Sequence, residues 1–268
     1  MGKTKHPNHQ MIAPLMRRIL PERFRPIGYL THLVRKRTQD TVRRGPFAGM
    51  RYIDRSIGSA HLPKLLGTYE RELVEIIELV CAGFPELIID LGAAEGYYAI
   101  GLALRNPRAR VVAFENERPG REALQKMTFL NGVHHRVQIR GHCEPIDLKA
   151  ILESGKDELP RVLDQPPFVI CDVEGDEDRL LDPAVVPGLR TTRILVETHE
   201  FIQPGITDEL RRRFVPTHSI ESIWQAPRSR ADFPFSSPAT WLLPKSYLDW
   251  AVSEWRPVRM CWLWMKPR

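Results

Sequence analysis

The sequence predicts an α/β fold built on a mostly parallel sheet. Apolar, strand-like segments alternate with helical segments between residues 87 and 214, and this alternation is typical of parallel β-α-β winding. After residue 214 the alternation stops, and two further strand-like segments, 219–225 and 258–265, are expected to close the sheet as an antiparallel pair. With 268 residues, the chain is long enough to form one large domain with a substantial core.

The first element of this pattern is an amphipathic helix before the sheet. Leu73, Ile76, Ile77 and Val80 are spaced at i, i+3, i+4 and i+7, which places all four on one helical face. Gly83 and the proline two residues later predict the end of the helix.

The elements that follow are expected in a regular order. The predicted strands are 87–91, 110–114, 136–140, 168–173 and 193–197. The predicted helices run over about 97–104, from Pro119 to Gly132, through 148–152, and over 207–214. A proline in the first turn and a glycine just past the end are favoured helix boundaries, and they delimit the second of these helices.

Several protein classes are disfavoured by composition. No stretch approaches the roughly 20 uninterrupted apolar residues needed to span a bilayer. Pro14, Arg17 and Arg18 interrupt the one candidate apolar core of a secretory signal. The sequence therefore predicts a cytoplasmic protein without a transmembrane segment.

The four cysteines predict neither a disulfide framework nor a zinc site. Cys81, Cys143, Cys171 and Cys261 are widely separated and form no CxxC pair. They are expected to be reduced thiols in or near the core, and no metal site is predicted.

Positive charge is concentrated at the amino end of the chain. Residues 1–59 contain 13 Lys or Arg and three acids, whereas the whole chain has a net charge of +6, so the remainder is mildly acidic. We therefore divide the chain into a basic extension or lid, 1–60, and a main domain, 61–268. Such an extension can steer toward nucleic acid, an anionic membrane or an acidic substrate, or remain a solvated tail.

A tight glycine turn follows the first predicted strand. The strand delivers Asp90, the chain turns on Gly92 and Gly96, and a helix begins, so that the loop with Ala93 and Glu95 lines a crevice for a nucleotide-like ligand. These five residues are the predicted cofactor-binding residues of the loop.

The composition of this turn argues against a dinucleotide. The GxGxxG fingerprint requires glycine at position 94 and a small residue at position 97, which hold Ala94 and Tyr97. An acid before the first glycine repels phosphate but suits a cation. The expected cofactor is therefore S-adenosylmethionine (SAM), which carries a sulfonium and an amino group, rather than NAD.

A second carboxylate, Glu115, follows the second predicted strand. It lies 25 residues after Asp90, and an acid roughly 20 residues beyond a glycine turn is placed to accept hydrogen bonds from ribose hydroxyls. Glu115 is the predicted ribose-binding residue.

Two further clusters follow the fourth and fifth predicted strands, where they border the same crevice. Asp172 and Glu174 lie at the end of the fourth strand, and His199 follows the fifth. Because imidazole titrates near neutrality, His199 is the first candidate for a general base, ahead of Glu174 and Asp172. The alternative for His199 is an ordinary surface or hydrogen-bonded role, and the alternative for the acidic cluster of the fourth strand is helix capping.

An ordered set of motifs resembles the FkbM-like family of class I SAM-dependent methyltransferases. The motifs are IDLGAAEGYY, VVAFENE, NGV, ICDVEGDE and ILVETHE, within about residues 60–200. The resemblance implies a Rossmann-like, seven-stranded sheet with helices on both faces, and O-methylation of a hydroxyl, often on a sugar or specialised metabolite.

The same resemblance assigns roles to individual residues. It places Asp90, Gly92, Gly96 and Glu115 on cofactor positions, and Asp172 with Glu174 on an acidic motif after the fourth strand. The sequence departs from the family at positions 94 and 95, where members commonly have an Asn and an apolar residue.

Three functional classes are compatible with these observations. The first is a SAM-dependent O-methyltransferase acting on a small molecule or glycan. The second is an RNA methyltransferase that uses the basic extension for phosphate contacts. The third is a non-catalytic binding protein on the same scaffold.

Overall fold

A computed structural model describes residues 26–154 and 165–268. The α-helices in these ranges are α1 (Pro26–Thr38), α2 (His61–Leu66), α3 (Val74–Ala82), α4 (Tyr97–Arg105), α5 (Arg118–Leu130), α6 (Pro145–Ser154), α7 (Glu177–Leu180), α8 (Ile206–Phe214), α9 (Pro238–Leu242) and α10 (Lys245–Val252). None of them is both long and apolar enough to cross a membrane.

Seven strands form one sheet in the order β3-β2-β1-β4-β5-β7-β6. They are β1 (Leu87–Leu91), β2 (Arg110–Phe114), β3 (Val137–Arg140), β4 (Phe168–Cys171), β5 (Arg193–Thr198), β6 (His218–Trp224) and β7 (Cys261–Pro267). The first five are parallel, and β7 inserts antiparallel between β5 and β6. This is the predicted Rossmann-like sheet, with its reversed carboxy-terminal strand.

The predicted strand boundaries are correct for β1 and β2 and differ slightly elsewhere. Strand β4 ends at Cys171 rather than at residue 173, because its pairing with β1 and β5 ends there. Strand β7 begins at Cys261, three residues later than predicted, and continues to Pro267. Asp172 therefore lies in the loop beyond the sheet edge.

The sheet separates two hydrophobic clusters. Along β1, Ile88 faces one cluster, whereas Ile89 and Leu91 face the other, as the alternation of side chains along a strand requires. Burial on both faces explains why the parallel strands are almost continuously apolar.

The described part of the amino-terminal segment packs into the first of these clusters. Leu30, Val34, Phe47 and Met50 are buried there. Phe47 lies against the edge of the Tyr97 ring at the start of α4, with 5.2 Å between ring centroids. Residues 26–60 thus share a core with the main domain, while residues 1–25 of the predicted extension lie outside the described ranges.

All four cysteines lie within the described ranges and are buried. Cys81, Cys143, Cys171 and Cys261 are free thiols. Burial raises the pKa of each thiol, so all four are poor nucleophiles near neutral pH.

Candidate functional site

The carboxyl ends of the parallel strands open onto a cavity of about 590 Å³. It lies where β1 is flanked by β2 and β4, the point at which the winding direction reverses and where open α/β sheets bind ligands. Seven of the predicted site residues line it: Asp90, Gly92, Ala93, Glu115, Asp172, Glu174 and His199.

The turn after β1 requires glycine at position 92. Gly92 has a φ of 85°, and a Cβ there would lie 1.8 Å from the carbonyl oxygen of Asp172. The amides of Gly92 and Ala93 both donate to the carbonyl of Phe114, at 3.0 and 2.8 Å. The turn is therefore fixed against β2 on one side and against the loop after β4 on the other.

Asp90 is a buried carboxylate with an unsatisfied oxygen. Its side chain lines the cavity, and its Oδ2 has no hydrogen-bond partner among the described residues. Burial, reinforced by the charges of Asp172 and Glu115, raises the pKa of Asp90 to about 8, although a backbone hydrogen bond from Ala99 opposes the shift. A cationic ligand would stabilise the ionised form.

Glu115 is held in place by backbone amides. Ala94 N–H donates to its Oε2 at 2.7 Å, and Glu117 N–H donates to its Oε1 at 2.6 Å. Its side chain packs so closely on Gly120 that a Cβ at that position would lie 2.7 Å from the carboxyl carbon. A carboxylate offers about four acceptor sites, so Glu115 can still accept hydrogen bonds from a diol in the cavity.

Glu95 and Gly96 do not line the cavity wall, although the sequence predicts both as cofactor residues. Gly96 has a φ of 98° and precedes α4, where a Cβ would meet Leu124. The Glu95 carboxylate is fully buried. It accepts hydrogen bonds from Lys64 Nζ at 2.6 Å, from Ile57 N–H at 2.9 Å and from the Tyr52 hydroxyl.

Glu95 instead anchors the amino-terminal segment. Burial alone would raise the pKa of Glu95, but Lys64 and the hydrogen bonds from Tyr52 and Ile57 lower it. Ile57, Gly58 and Ser59 line the cavity next to Lys64. Sequence reasoning missed these cavity residues because their anchor lies 38 positions further along the chain.

His199 is buried between carboxylates. Its Nδ1 lies 2.6 Å from Glu177 Oε1, and its Nε2 lies 3.4 Å from Asp172 Oδ1 and 3.5 Å from Glu197 Oε2. Burial lowers the pKa of His199, but the hydrogen bond to Glu177 and the charges of Asp172, Glu177 and Glu174 outweigh it, so the pKa is raised. Glu177 is a residue that sequence reasoning did not assign to the site.

Arg256 brings the carboxy-terminal part of the chain to the same cavity. Its guanidinium donates to Glu197 at 2.8 Å and to Glu70, and it lies over the ring of Tyr69. Tyr98 also donates to Glu70. Burial raises the pKa of Glu70 to about 7 even though Arg256 acts to lower it.

A second arginine extends this buried network. Arg228 pairs with Glu72 at 2.8 Å and with Glu254 at 2.6 Å, and all three side chains are nearly fully buried. The Glu254 carboxylate also accepts the backbone N–H of Glu70 at 2.9 Å. The network joins the start of α3 to the segment that leads into β7.

Asp172, Glu197 and His199 form a group with the donor types of a metal site. One ligand atom from each lies within 4.8 Å of the others. However, Glu197 already accepts from Arg256 and His199 is bonded to Glu177. The geometry therefore permits either a cation site or a set of proton-transferring side chains.

The cavity wall is predominantly acidic. Two permanently cationic side chains, Lys64 and Arg256, face seven carboxylates: Asp90, Glu115, Glu117, Asp172, Glu174, Asp176 and Glu254. Such a wall favours cationic or neutral groups over phosphates.

No protein-family model and no curated protein sequence matches the chain. Among solved structures, the O-methyltransferase from Bacillus cereus, in complex with SAH, is 13% identical, with 96% of this chain and 97% of that chain covered and a TM-score of 0.46.

Two further solved structures are similar in the same range. The O-methyltransferase TomG from Streptomyces achromogenes, in complex with SAM, is 14% identical, with 95% of each chain covered and a TM-score of 0.45. A precorrin-6y C5,15-methyltransferase from Geobacter metallireducens is 11% identical, with 72% of this chain and 88% of that chain covered and a TM-score of 0.42. The assignment of a Rossmann-like fold rests on the sheet order of the chain itself.

Proposed function

We propose that the protein is a SAM-dependent methyltransferase. The observation that carries this proposal is the buried Oδ2 of Asp90, which has no hydrogen-bond partner within residues 26–154 and 165–268 and shares one cavity with Glu115 at the switch point of the sheet. SAM combines a positively charged end with a ribose diol, and these two carboxylates match both features.

The residues around the cavity would hold the cofactor by complementary charge and shape. Glu115 would accept the ribose hydroxyls, and Asp90 would face the positively charged end. Gly92 and Ala93 permit close approach of the ligand to the backbone, because neither carries a long side chain. When bound, SAM supplies a methyl group already activated by its sulfonium, so the protein mainly has to align the acceptor and exclude water.

The acceptor class we propose is a hydroxyl on a small molecule or glycan, in line with the resemblance to the FkbM-like family. Deprotonation of a hydroxyl needs a base, and His199 lines the cavity with its Nδ1 committed to Glu177. His199 would take the proton at Nε2, and the imidazolium would be stabilised by the surrounding carboxylates. Glu174 and Asp172 are the next candidates.

We further propose that residues 26–60, the described part of the predicted extension, act as a lid on the main domain. Residues 57–59 form part of the cavity wall, and their position depends on the side chain of Glu95 from the glycine turn. The boundary between the extension and the domain stays a prediction, since residues 26–60 share the core of the domain.

RNA is a weaker candidate for the acceptor. The basic extension could contact phosphates, but seven carboxylates line the cavity. A phosphate next to the transferred methyl would be repelled. Methylation of RNA at a rate that falls steeply with added salt would reverse this preference.

Methyl-donor turnover tests the proposal. Purified protein, isotopically labelled SAM and fractionated cell extract should yield a labelled acceptor together with S-adenosylhomocysteine (SAH), and calorimetry should detect binding of SAH. Binding of SAH without turnover in any fraction would favour the non-catalytic alternative. Binding of NAD in place of SAH would refute the cofactor assignment.

A further inference from the structure

A buried lysine lies at the cavity wall next to the glycine turn. Lys64, on α2, lines the cavity although only 4% of its side chain is exposed. Lysine is almost never buried to this extent unless it is paired. The buried position of Lys64 between the amino-terminal segment and the glycine turn therefore requires specific interaction partners.

The contacts of Lys64 account for two of its three N–H donors. Its Nζ lies 2.6 Å from Glu95 Oε1 and 2.7 Å from Ser59 Oγ, and it faces the rings of Tyr69 and Tyr97 at 4.8 and 5.5 Å. An ammonium group has three donors. No described residue takes the third one by a hydrogen bond, and the aromatic faces cannot accept it as strongly as an anion would.

Lys64 and Asp90 place an ammonium group and an acidic group that a cation can ionise on the same part of the wall. Both line the cavity beside the glycine turn, and they lie near enough for the charge of Lys64 to act on Asp90. A ligand end that carries both an ammonium and a carboxylate, as an α-amino acid does, is complementary to such a pair.

The other cation of the wall, the half-buried Arg256, is less suited to an anionic ligand group. Arg256 already donates to two carboxylates, Glu70 and Glu197, and it lies on the β4–β5 side of the cavity. Lys64 has one carboxylate partner and lies against the glycine turn, where the cofactor would bind.

We infer that Lys64 binds the carboxylate of the methionine end of SAM, and that Glu95 and Ser59 position its ammonium. This inference rests on the proposed function. It gives Glu95 an indirect role, since it holds the lysine instead of contacting the ligand.

Two ligands that differ only in this carboxylate test the inference. The dissociation constants of SAM and of decarboxylated SAM are measured by calorimetry on the full chain. A charge-assisted hydrogen bond should make SAM bind roughly 10- to 100-fold more tightly. The Lys64→Met variant should lose this preference and bind the two ligands about equally, chiefly through weaker binding of SAM.

A second variant distinguishes loss of the ligand contact from a folding defect. Lys64→Met leaves the buried Glu95 carboxylate uncompensated, whereas Lys64→Met combined with Glu95→Gln removes both charges. This double variant should fold, as judged by its thermal transition, and should likewise bind the two ligands equally. The control is Lys126→Met, an exposed lysine on α5, which should keep the wild-type preference.

The outcomes separate the inference from the proposed function. Wild-type protein that binds both ligands equally, or a double variant that keeps the wild-type preference for SAM, would overturn the role of Lys64 while leaving the methyltransferase proposal intact. Wild-type protein that binds neither SAM nor SAH would overturn both.

Discussion

The two ends of the cavity are built in different ways. At the β1–β2 end, the Glu115 carboxylate accepts hydrogen bonds from the backbone amides of Ala94 and Glu117, which lie 21 and two positions away in sequence. At the β4–β5 end, side chains bond to side chains: Arg256 links Glu70 and Glu197 across separations of 186 and 59 positions. The first end depends on local chain geometry, whereas the second depends on the complete fold.

This difference explains what the sequence could predict. Asp90 lies near the carboxyl end of one apolar strand and Glu115 directly follows the next, so the strand pattern places both at one sheet edge. Glu70 and Arg256 are assigned to no strand end, and nothing in their local sequence indicates that they meet. Glu95 was only partly predictable. The sequence places it in the glycine turn, but it does not indicate that its partner is Lys64, 31 positions earlier.

The fold itself was largely predictable for the same reason. Buried parallel strands are short apolar runs, and their order follows from the alternation with helices. The ends of β4 and β7 were less predictable, because a strand ends where its neighbours stop pairing and that depends on chain segments far away in sequence.

The largest effect is expected from His199 at the β4–β5 end. His199→Asn should lower kcat by about 10²- to 10⁴-fold, the range for loss of a general base, while the affinity for SAH changes little. Steady-state kinetics with calorimetry would measure both. His218→Asn is the control, since His218 is a buried histidine bonded to Thr192 and Thr217 away from the cavity. Equal losses in the two variants would rule out a specific role.

The pH dependence sharpens this prediction. A base acts in its unprotonated form, and the pKa of His199 is raised, so the rate should increase with pH through a transition above the ordinary histidine value. Glu177→Gln removes a charge that stabilises the imidazolium, and the transition should move to lower pH. A profile that stays in place would show that Glu177 does not control this histidine.

A smaller effect is expected from Glu115 at the β1–β2 end. Glu115→Ala should weaken SAH binding by about 1.5–3 kcal/mol, the range for hydrogen bonds to a charged group. Calorimetry measures this directly, and Glu122→Ala on the exposed face of α5 serves as the control. Unchanged affinity would show that Glu115 does not bind the ribose.

Asp90 should show opposite effects on binding and stability. Its folded-state pKa of about 8 lies above the ordinary aspartate value of 3.8, so the folded state loses stability as pH rises from about 4 to 8. Asp90→Asn should therefore stabilise the ligand-free protein above pH 8, by about 1–3 kcal/mol, while weakening cofactor binding. Denaturant unfolding at pH 6 and pH 9 would test this, since the gain should be larger at pH 9.

No effect is expected from removal of divalent cations. Arg256 already donates a hydrogen bond to the Glu197 carboxylate, and the proposed base, His199, needs no metal. Methyl transfer should be unchanged by EDTA and by added Mg²⁺ or Mn²⁺. Loss of activity with EDTA, restored by one of these ions, would instead assign Asp172, Glu197 and His199 to a cation site.

Gly92, which has no side chain, lies where the two ends of the cavity meet. Because the backbone of the β1 turn touches the carbonyl of Asp172, a single added methyl group there would push apart the loops that carry the cofactor carboxylates and the candidate base. Even Gly92→Ala should impair donor binding and acceptor chemistry together.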